Sequence, residues 1–351
     1  MSVSVNEDEF PLREAQTLVR GLMNPNPWIY WVDFLFHISL AWTAFFVALR
    51  SPAFSTWQVG AMVIAALAFY RAVIFIHELA HLKKGTFKVF RLVWNLVCGM
   101  PLLVPSFTYD GVHNDHHRRD VYGTEEDGEY LAFTAGKTSG LIAYVLLSLV
   151  LPCFFVIRFL VLTPLSYLIP PLRRLVWARA SSLTIDMNYQ RPTNAIRNDK
   201  NWRVQEFATF VFATVILAGL LSGALSYRIV LLWYLISMMI FLLNSLRTLA
   251  AHAYRNAPDH HLSVVGQYLD SVNVPGNLFI TSLWAPVGLR YHATHHLFPS
   301  LPYHNLGRAH RLLVSDLSDN RLYLQTQRRG LWDALMRIWR ETAASPSAAR
   351  E

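Results

Sequence analysis

Eight histidines fall into three clusters: H-E-L-A-H at His77 and His81, H-N-D-H-H at His113, His116 and His117, and H-A-T-H-H at His292, His295 and His296. Neutral imidazole is the commonest side-chain metal ligand and suits iron, zinc and copper. Positions i, i+3 and i+4 of a helix share one face, so each cluster can aim its imidazoles at one point. Eight aligned ligands exceed the three or four that one zinc takes, and the arithmetic favours two metal ions. H-E-x-x-H is also the zinc-metalloprotease motif, with its glutamate as general base. Two further H-x-x-H-H clusters are more histidine than such a protease uses. Glu78 has another role open to it, as the partner of Arg71 on the same helical face, because a charge inside an apolar helix needs a counter-charge.

The elements that must position these clusters are apolar. The chain of 351 residues is 53% hydrophobic and 15% charged, against about 25% charged in a soluble domain, and its mean hydropathy is +0.28. An integral membrane protein follows. Segments 28–49, 57–82, 204–224 and 229–252 are each long enough to span about 30 Å of hydrocarbon. The net charge of +8 comes from residues that flank apolar segments, as the positive-inside rule requires, and not from one aromatic-interleaved patch, so no nucleic-acid partner is expected. Cys98 and Cys153 imply neither a disulfide framework nor a metal-binding cysteine pair. The polar, partly acidic N-terminus is no signal peptide.

Sidedness sets the topology. Lys83, Lys84 and Lys88 place the first cluster on the cytosolic side, and all three clusters must lie on one side to build one site. Segment 141–169, interrupted by Pro152, Arg158 and Pro164, therefore cannot be a single crossing. If it were, the third cluster and the cations Arg173, Arg174, Arg179, Arg191, Arg197, Lys200 and Arg203 would be stranded outside. It is expected as an in-plane or re-entrant hairpin, and 89–107, with Pro101 and Pro105, as an interfacial or re-entrant segment. The expected architecture is all-α: a cytosolic N-terminal segment over 1–27, then a membrane domain over 28–342. That domain has four transmembrane helices, re-entrant or interfacial helices, and a cytosolic helical cap holding a dimetal site. A disordered tail at 343–351 follows.

Further residues complete the candidate site. Asn244, Thr248 and His252 recur every four residues and form a polar stripe on an apolar helix, where polar groups are costly and usually face a site. His252 is assigned as an additional ligand, with Asn244 and Thr248 as supporting or water-holding groups. His260 or His261 is a candidate ninth ligand. Asp270, Asn273, Asp115 and Asp110 are candidates to orient ligand imidazoles through their second nitrogens. Asp33 and His37 read as a pair buried for packing, His304 and His310 as ordinary residues, and Glu125, Glu126, Asp127 and Glu129 as a solvated loop. Segment 330–340 is amphipathic, with Trp332, Leu335 and Trp339 opposite arginines, and reads as a helix on the membrane surface.

These motifs resemble the membrane fatty acid desaturase superfamily, with its related hydroxylases and carotenoid-modifying oxygenases. The resemblance runs from about residue 57 to about 310. It rests on the three histidine boxes, the gap of 31 residues between His81 and His113, and the line H-H-L-F-P-S-L-P-Y-H-N-L that starts at His295. It implies two irons bound by the boxes on the cytosolic face, O2 as co-substrate, and an extra ligand at the end of the fourth span, where His252 stands. Animal acyl-CoA desaturases carry an asparagine one turn before that histidine; here the position is Thr248. The third box opens with histidine and not glutamine, unlike front-end desaturases. The sequence has no H-P-G-G, so no fused cytochrome b5 domain is expected. Electrons would come from a separate ferredoxin or cytochrome b5 type donor with its reductase.

The resemblance implies oxygen-dependent attack on an unactivated methylene, whose C–H bond is too strong for ordinary acid–base groups and is left to the cofactor. A desaturase is expected first, acting on a chain carried by a lipid, by CoA or by an acyl-carrier protein, in a bacterial inner membrane. A hydroxylase or ketolase on the same scaffold stands second, and an H-E-x-x-H zinc metalloprotease third.

Overall fold

The computed structural model describes residues 10–83, 85–192, 200–256 and 260–344. Lys84, Arg197 and positions 345–351 of the expected tail lie outside the described residues. Regular structure among the described residues is helical, with isolated bridges joining His252 to Ser271, and Asn273 to Tyr291 and Gln327. The chain divides into two compact units. One comprises Pro27–Asn114 and Ala143–Ser245; the other comprises the residues before Pro27, Asp115–Ile142 and the chain from Leu246 onward.

Among the described residues, five helices are long and apolar enough to cross a membrane: Pro27–Arg50, Thr56–His81, Leu151–Leu168, Lys200–Leu221 and Tyr227–Ala251. Four of them match the expected spans to within a few residues. The first two pack side by side through small residues. Ala41, Ala44 and Ala48 of one helix and Ala61, Ala65, Ala68 and Ala72 of the other are all buried, a spacing that lets helix backbones approach closely in lipid. Arg71 forms a bidentate pair with Asp33, at 2.7 and 2.5 Å. This differs from the Arg71–Glu78 pairing read from helical spacing. Glu78 instead accepts a hydrogen bond from Tyr30, at 2.5 Å. The partner in each case comes from the neighbouring helix, which spacing within one helix does not reveal. Asp33 also receives His37, whose Nδ1 lies 2.9 Å away.

The fifth helix lies within the segment 141–169 expected as an in-plane or re-entrant hairpin. There the structure has a short helix, Thr138–Leu147, followed by the long helix Leu151–Leu168. Its prolines do not break it, because Pro152 and Pro164 occupy first-turn positions on either side of a π turn at Arg158–Leu162, where a missing N–H costs little. Arg158 does not expose its charge either. It is buried and bonded to Glu206 at 2.6 Å, to Thr163 Oγ1 and to the Ala180 carbonyl. Arg173 is a second cation on Glu206, at 2.7 Å. Phe107, Phe159, Trp177 and Trp202 pack in one core in this unit.

That core supports the loop leading to the second histidine cluster. Gln205 accepts hydrogen bonds from Ser106 Oγ and Phe107 N, at 3.2 and 3.0 Å. Asn95 accepts from Ser106 N at 2.8 Å. The guanidinium of Arg191 donates to the carbonyls of Phe107, Asp110 and Ser181. Buried backbone carbonyls need such partners, and the loop is thereby fixed from both sides just before His113.

The second unit is built on aromatic packing. Tyr268 stacks on Tyr323 at 5.5 Å and touches Phe10. The helix Leu12–Val19, within the segment expected to precede the membrane domain, packs on Tyr303–Ser315. The helix Leu331–Ala343 buries Ala334, Ile338 and Thr342, one residue per turn, and turns Trp332 and Trp339 outward.

Candidate metal centre

Four buried imidazoles converge in this second unit. The ligand nitrogens of His116, His252, His292 and His296 all lie within 4.8 Å of one another. The Nε2 atoms of His292 and His252 are 2.8 Å apart, those of His296 and His292 3.2 Å, and those of His116 and His252 3.3 Å. Two nitrogens bound to one ion at about 2.1 Å sit about 3.0–3.4 Å apart at cis or tetrahedral angles. The observed spacings fall close to that range.

The tautomers follow from the partners on the other ring nitrogen. Asp127, whose side chain is 0% exposed, faces His116 Nδ1 with both oxygens, at 2.8 and 3.0 Å. A carboxylate only accepts, so Nδ1 carries the proton and Nε2 offers a lone pair. Tyr122 donates its hydroxyl to Asp270 at 3.0 Å, leaving its oxygen free to accept from His252 Nδ1 at 3.0 Å. Tyr130 donates to the same Asp270 oxygen at 2.7 Å. His252 Nε2 is therefore also a lone pair. Two lone pairs facing each other at 3.3 Å repel unless a cation lies between them, so this donor set fits a metal ion. Carboxylate or hydroxyl support on the far nitrogen is the usual arrangement around metal-bound histidine.

Electrostatics agree with that form. Burial drives the pKa values of His252 and His296 well below the ordinary range, and neighbouring imidazoles lower them further. Both rings are thus neutral and ready to coordinate. His116 is the exception: burial favours its neutral form, but the Asp127 charge and hydrogen bond outweigh burial and raise its pKa. Burial raises the pKa of Asp270, against the hydrogen bonds from Tyr130 and Tyr122.

The remaining cluster histidines also gather. His77, His81 and His113 have ligand nitrogens within 4.8 Å of one another, and ring centroids 4.3–5.1 Å apart. His117 and His295 meet Nε2 to Nε2 at 3.1 Å. The boxes therefore do not each aim at one point, as expected from their spacing. In the helix His292–Leu297, His292 and His296 join the tetrad while His295 turns to His117. The reason is helical geometry: positions i+3 and i+4 straddle position i and point about 100° apart.

The other candidates are placed as follows. Asp115 pairs with exposed Arg118 at 3.2 Å, and Asp110 with Arg91 at 3.2 Å. His260 and His261 are exposed and belong to neither histidine group. Asn244 is half-buried, and Thr248 is buried with its carbonyl accepting from Tyr254. Asn273 bonds Thr294, inside the third box, at 3.0 Å rather than an imidazole. Glu78 Oε1 lies 3.7 Å from His77 Nδ1. His310 is not an ordinary surface residue but is buried, with Nδ1 2.9 Å from the Tyr323 hydroxyl. Asp127, read as part of a solvated acidic loop, is the clearest miss, together with Tyr122, Tyr130 and Arg337, which donates to the His252 carbonyl at 2.6 Å. The only sequence cue to Asp127 was the Asp-Gly turn that follows it.

Comparison with known proteins decides the family. A family model described as fatty acid desaturase matches residues 55–328. The chain belongs to that family. It is also 38% identical over 338 residues to a ceramide hydroxylase of Caulobacter vibrioides (strain NA1000 / CB15N), covering 96% of this chain and 95% of the relative. No solved structure matches. The family is one of membrane diiron oxidoreductases, and an integral membrane protein with imidazole groups able to hold metal is what the sequence reading expects. The zinc-protease reading of H-E-L-A-H has no support from these matches.

Proposed function

We propose that this protein is an oxygen-dependent diiron hydroxylase of a ceramide-like, long-chain amide lipid. Its metal centre lies on the cytosolic side of a bacterial inner membrane. The observation that carries this reading is the 38% identity to a ceramide hydroxylase along nearly the full length of both chains. It reverses the order read from sequence, in which desaturation came first. One iron would be held by His116, His252, His292 and His296; the remaining box histidines are the candidates for the other, with His77, His81 and His113 close together in one unit and His117 and His295 in the other. When bound, the irons supply the reduction of O2 and the cleavage of an unactivated C–H bond, using two electrons from a separate donor protein. In hydroxylation one oxygen atom enters the substrate, and the other leaves as water with two protons.

The chain's own residues prepare the ligands. Asp127 keeps the His116 proton on Nδ1, and the Asp270–Tyr122 pair does the same for His252. Arg337 fixes the backbone of His252. Such outlying partners set ring orientation and ligand basicity.

The second reading, desaturation of an acyl chain, rests on the H-H-L-F-P-S-L-P-Y-H-N-L line. One experiment separates the two. Membranes containing the protein are incubated with ceramide, a reduced ferredoxin system and isotopically heavy O2, beside a His113→Ala/His117→Ala control, and the lipids are read by mass spectrometry. A product heavier by one labelled oxygen atom is expected. A product lighter by two hydrogens would replace hydroxylation with desaturation. Unchanged ceramide with iron-loaded protein and a working donor would overturn the substrate assignment.

A further inference from the structure

The helix Leu278–Trp284 is out of character with the unit that carries it. Leu278, Phe279, Ile280 and Leu283 are 62%, 79%, 66% and 52% exposed, while Thr281 alone among its residues is buried. At seven residues it is about 10 Å long, far too short to span a bilayer. Yet it is built as a firm element. Asn277 caps its first turn by accepting from Phe279 N and Ile280 N, at 3.0 and 3.1 Å. Arg290 clasps its base through the carbonyls of Pro275 and Leu278. The excursion 275–289 closes where Val274 N donates to the Arg290 carbonyl at 2.7 Å.

The base of this excursion is tied to the end of a membrane helix. Val272 N donates to the Ala251 carbonyl at 2.8 Å, and Ala251 is the last residue of the apolar helix Tyr227–Ala251. Val274 lies only two residues further, about 7 Å along an extended chain. On the other side, Arg328 N donates to the Asn273 carbonyl, and Gly276 lies against the carbonyl of Arg329. Three residues on, Trp332 is 72% exposed. The apolar tip is thus flanked by arginines and a tryptophan, the composition of segments that sit among headgroups and upper acyl chains.

We propose that the hairpin 275–289 dips its apolar helix into the cytosolic leaflet of the membrane that the long helices cross, with lipid acyl chains as its partner. His292 follows the closing residue Arg290 by two positions, so the same short stem joins the bilayer surface to a tetrad histidine. The proposal goes beyond the hydroxylase reading and does not depend on it.

The test uses the full chain in phosphatidylcholine vesicles, with exposed Cys153 replaced by serine and buried Cys98 left in place. A nitroxide is attached at Phe279→Cys, at Ile280→Cys, or at Arg311→Cys as an exposed polar control. Relaxation by O2, which partitions into lipid, is compared with relaxation by a water-soluble nickel chelate, with no donor protein present. The expected oxygen-to-nickel ratio at 279 and 280 is several-fold higher than at 311. Equal ratios would place the helix in water and overturn the proposal. Protection from both agents would mean contact with protein, a second copy included, and would equally overturn it. Unchanged iron content in each variant shows that the labelled protein is folded.

Discussion

Asp127→Asn is the sharpest perturbation of the tetrad. Each Asp127 oxygen receives two donors: His116 Nδ1 and Glu129 N on one, His116 Nδ1 and Gly123 N on the other. An asparagine presents one oxygen and one NH2, so whichever way it turns, one backbone N–H faces another donor. Leaving a buried donor unsatisfied costs about 1–3 kcal/mol of stability. The second effect falls on the metal. The carboxylate that raises the His116 pKa also raises the basicity of its Nε2, and loss of such a partner typically lowers metal affinity or activity about 10- to 100-fold, which is roughly 1.4–2.8 kcal/mol. The assay is iron per protein, by elemental analysis, after equilibration with graded chelator, run beside thermal unfolding of the iron-free protein. Glu129→Gln, at a position close to His116 but outside the hydrogen bond, is the control. The reasoning fails if Asp127→Asn folds and holds iron at the same chelator midpoint as the parent.

Three other outcomes are expected. Glu206→Gln removes the negative partner of buried Arg158 and half-buried Arg173 and should destabilise the protein by about 3–5 kcal/mol, read as a large drop in unfolding temperature in detergent. His310 has its pKa lowered to about 4 by burial, with Arg290 and Arg311 adding to the effect. Between about pH 6.5 and 4 the unfolded chain therefore binds a proton that the folded one refuses, and stability falls as pH falls, by up to roughly 3 kcal/mol. Iron-free parent protein should lose thermal stability across that window more steeply than His310→Gln, and parallel curves would remove His310 as the cause. Glu78→Gln should keep most lipid oxidation, because an amide oxygen still accepts from Tyr30; a folded, iron-loaded but inactive variant would return Glu78 to the role of a general base.

The sequence made legible whatever its periodicity encodes. Four of the long helices show as apolar runs bounded by polar turns. The candidate ligands show because imidazoles repeated at helical spacing in an apolar chain have few other uses, and His252 shows as the end of a polar stripe. What stayed hidden depends on contacts between segments far apart in sequence. Asp33 and Arg71 are 38 residues apart, and Asp270 reaches Tyr122 across 148. Asp127 looks like its neighbours Glu125 and Glu126, which are exposed, and only folding separates it from them. The helix Leu151–Leu168 was obscured because its arginine and prolines count as breaks until Glu206 and the first-turn positions absorb them. The split of the third box was in principle available, since adjacent helical residues diverge by about 100°.

These hidden contacts share a pattern. The elements bearing the candidate ligands are held from outside their own motif by polar groups. The loop before His113 is held by Arg191 and Gln205, His116 by Asp127, and His252 by Tyr122 and Arg337. The third box is held by Asn273 and Tyr323 through Thr294, with Tyr323 in turn on His310. Without a metal, the tetrad brings nitrogen lone pairs together in a buried space, which opposes folding. With a metal, the same convergence becomes binding energy, and binding energy available only to the folded chain is folding energy. The polar anchors would therefore do more than aim imidazoles: they hold a cluster that is unfavourable alone, so that a bound ion would complete the fold instead of having to assemble it. Loss of an anchor should then weaken iron retention more than it weakens the iron-free protein, which sets these residues apart from ordinary core positions.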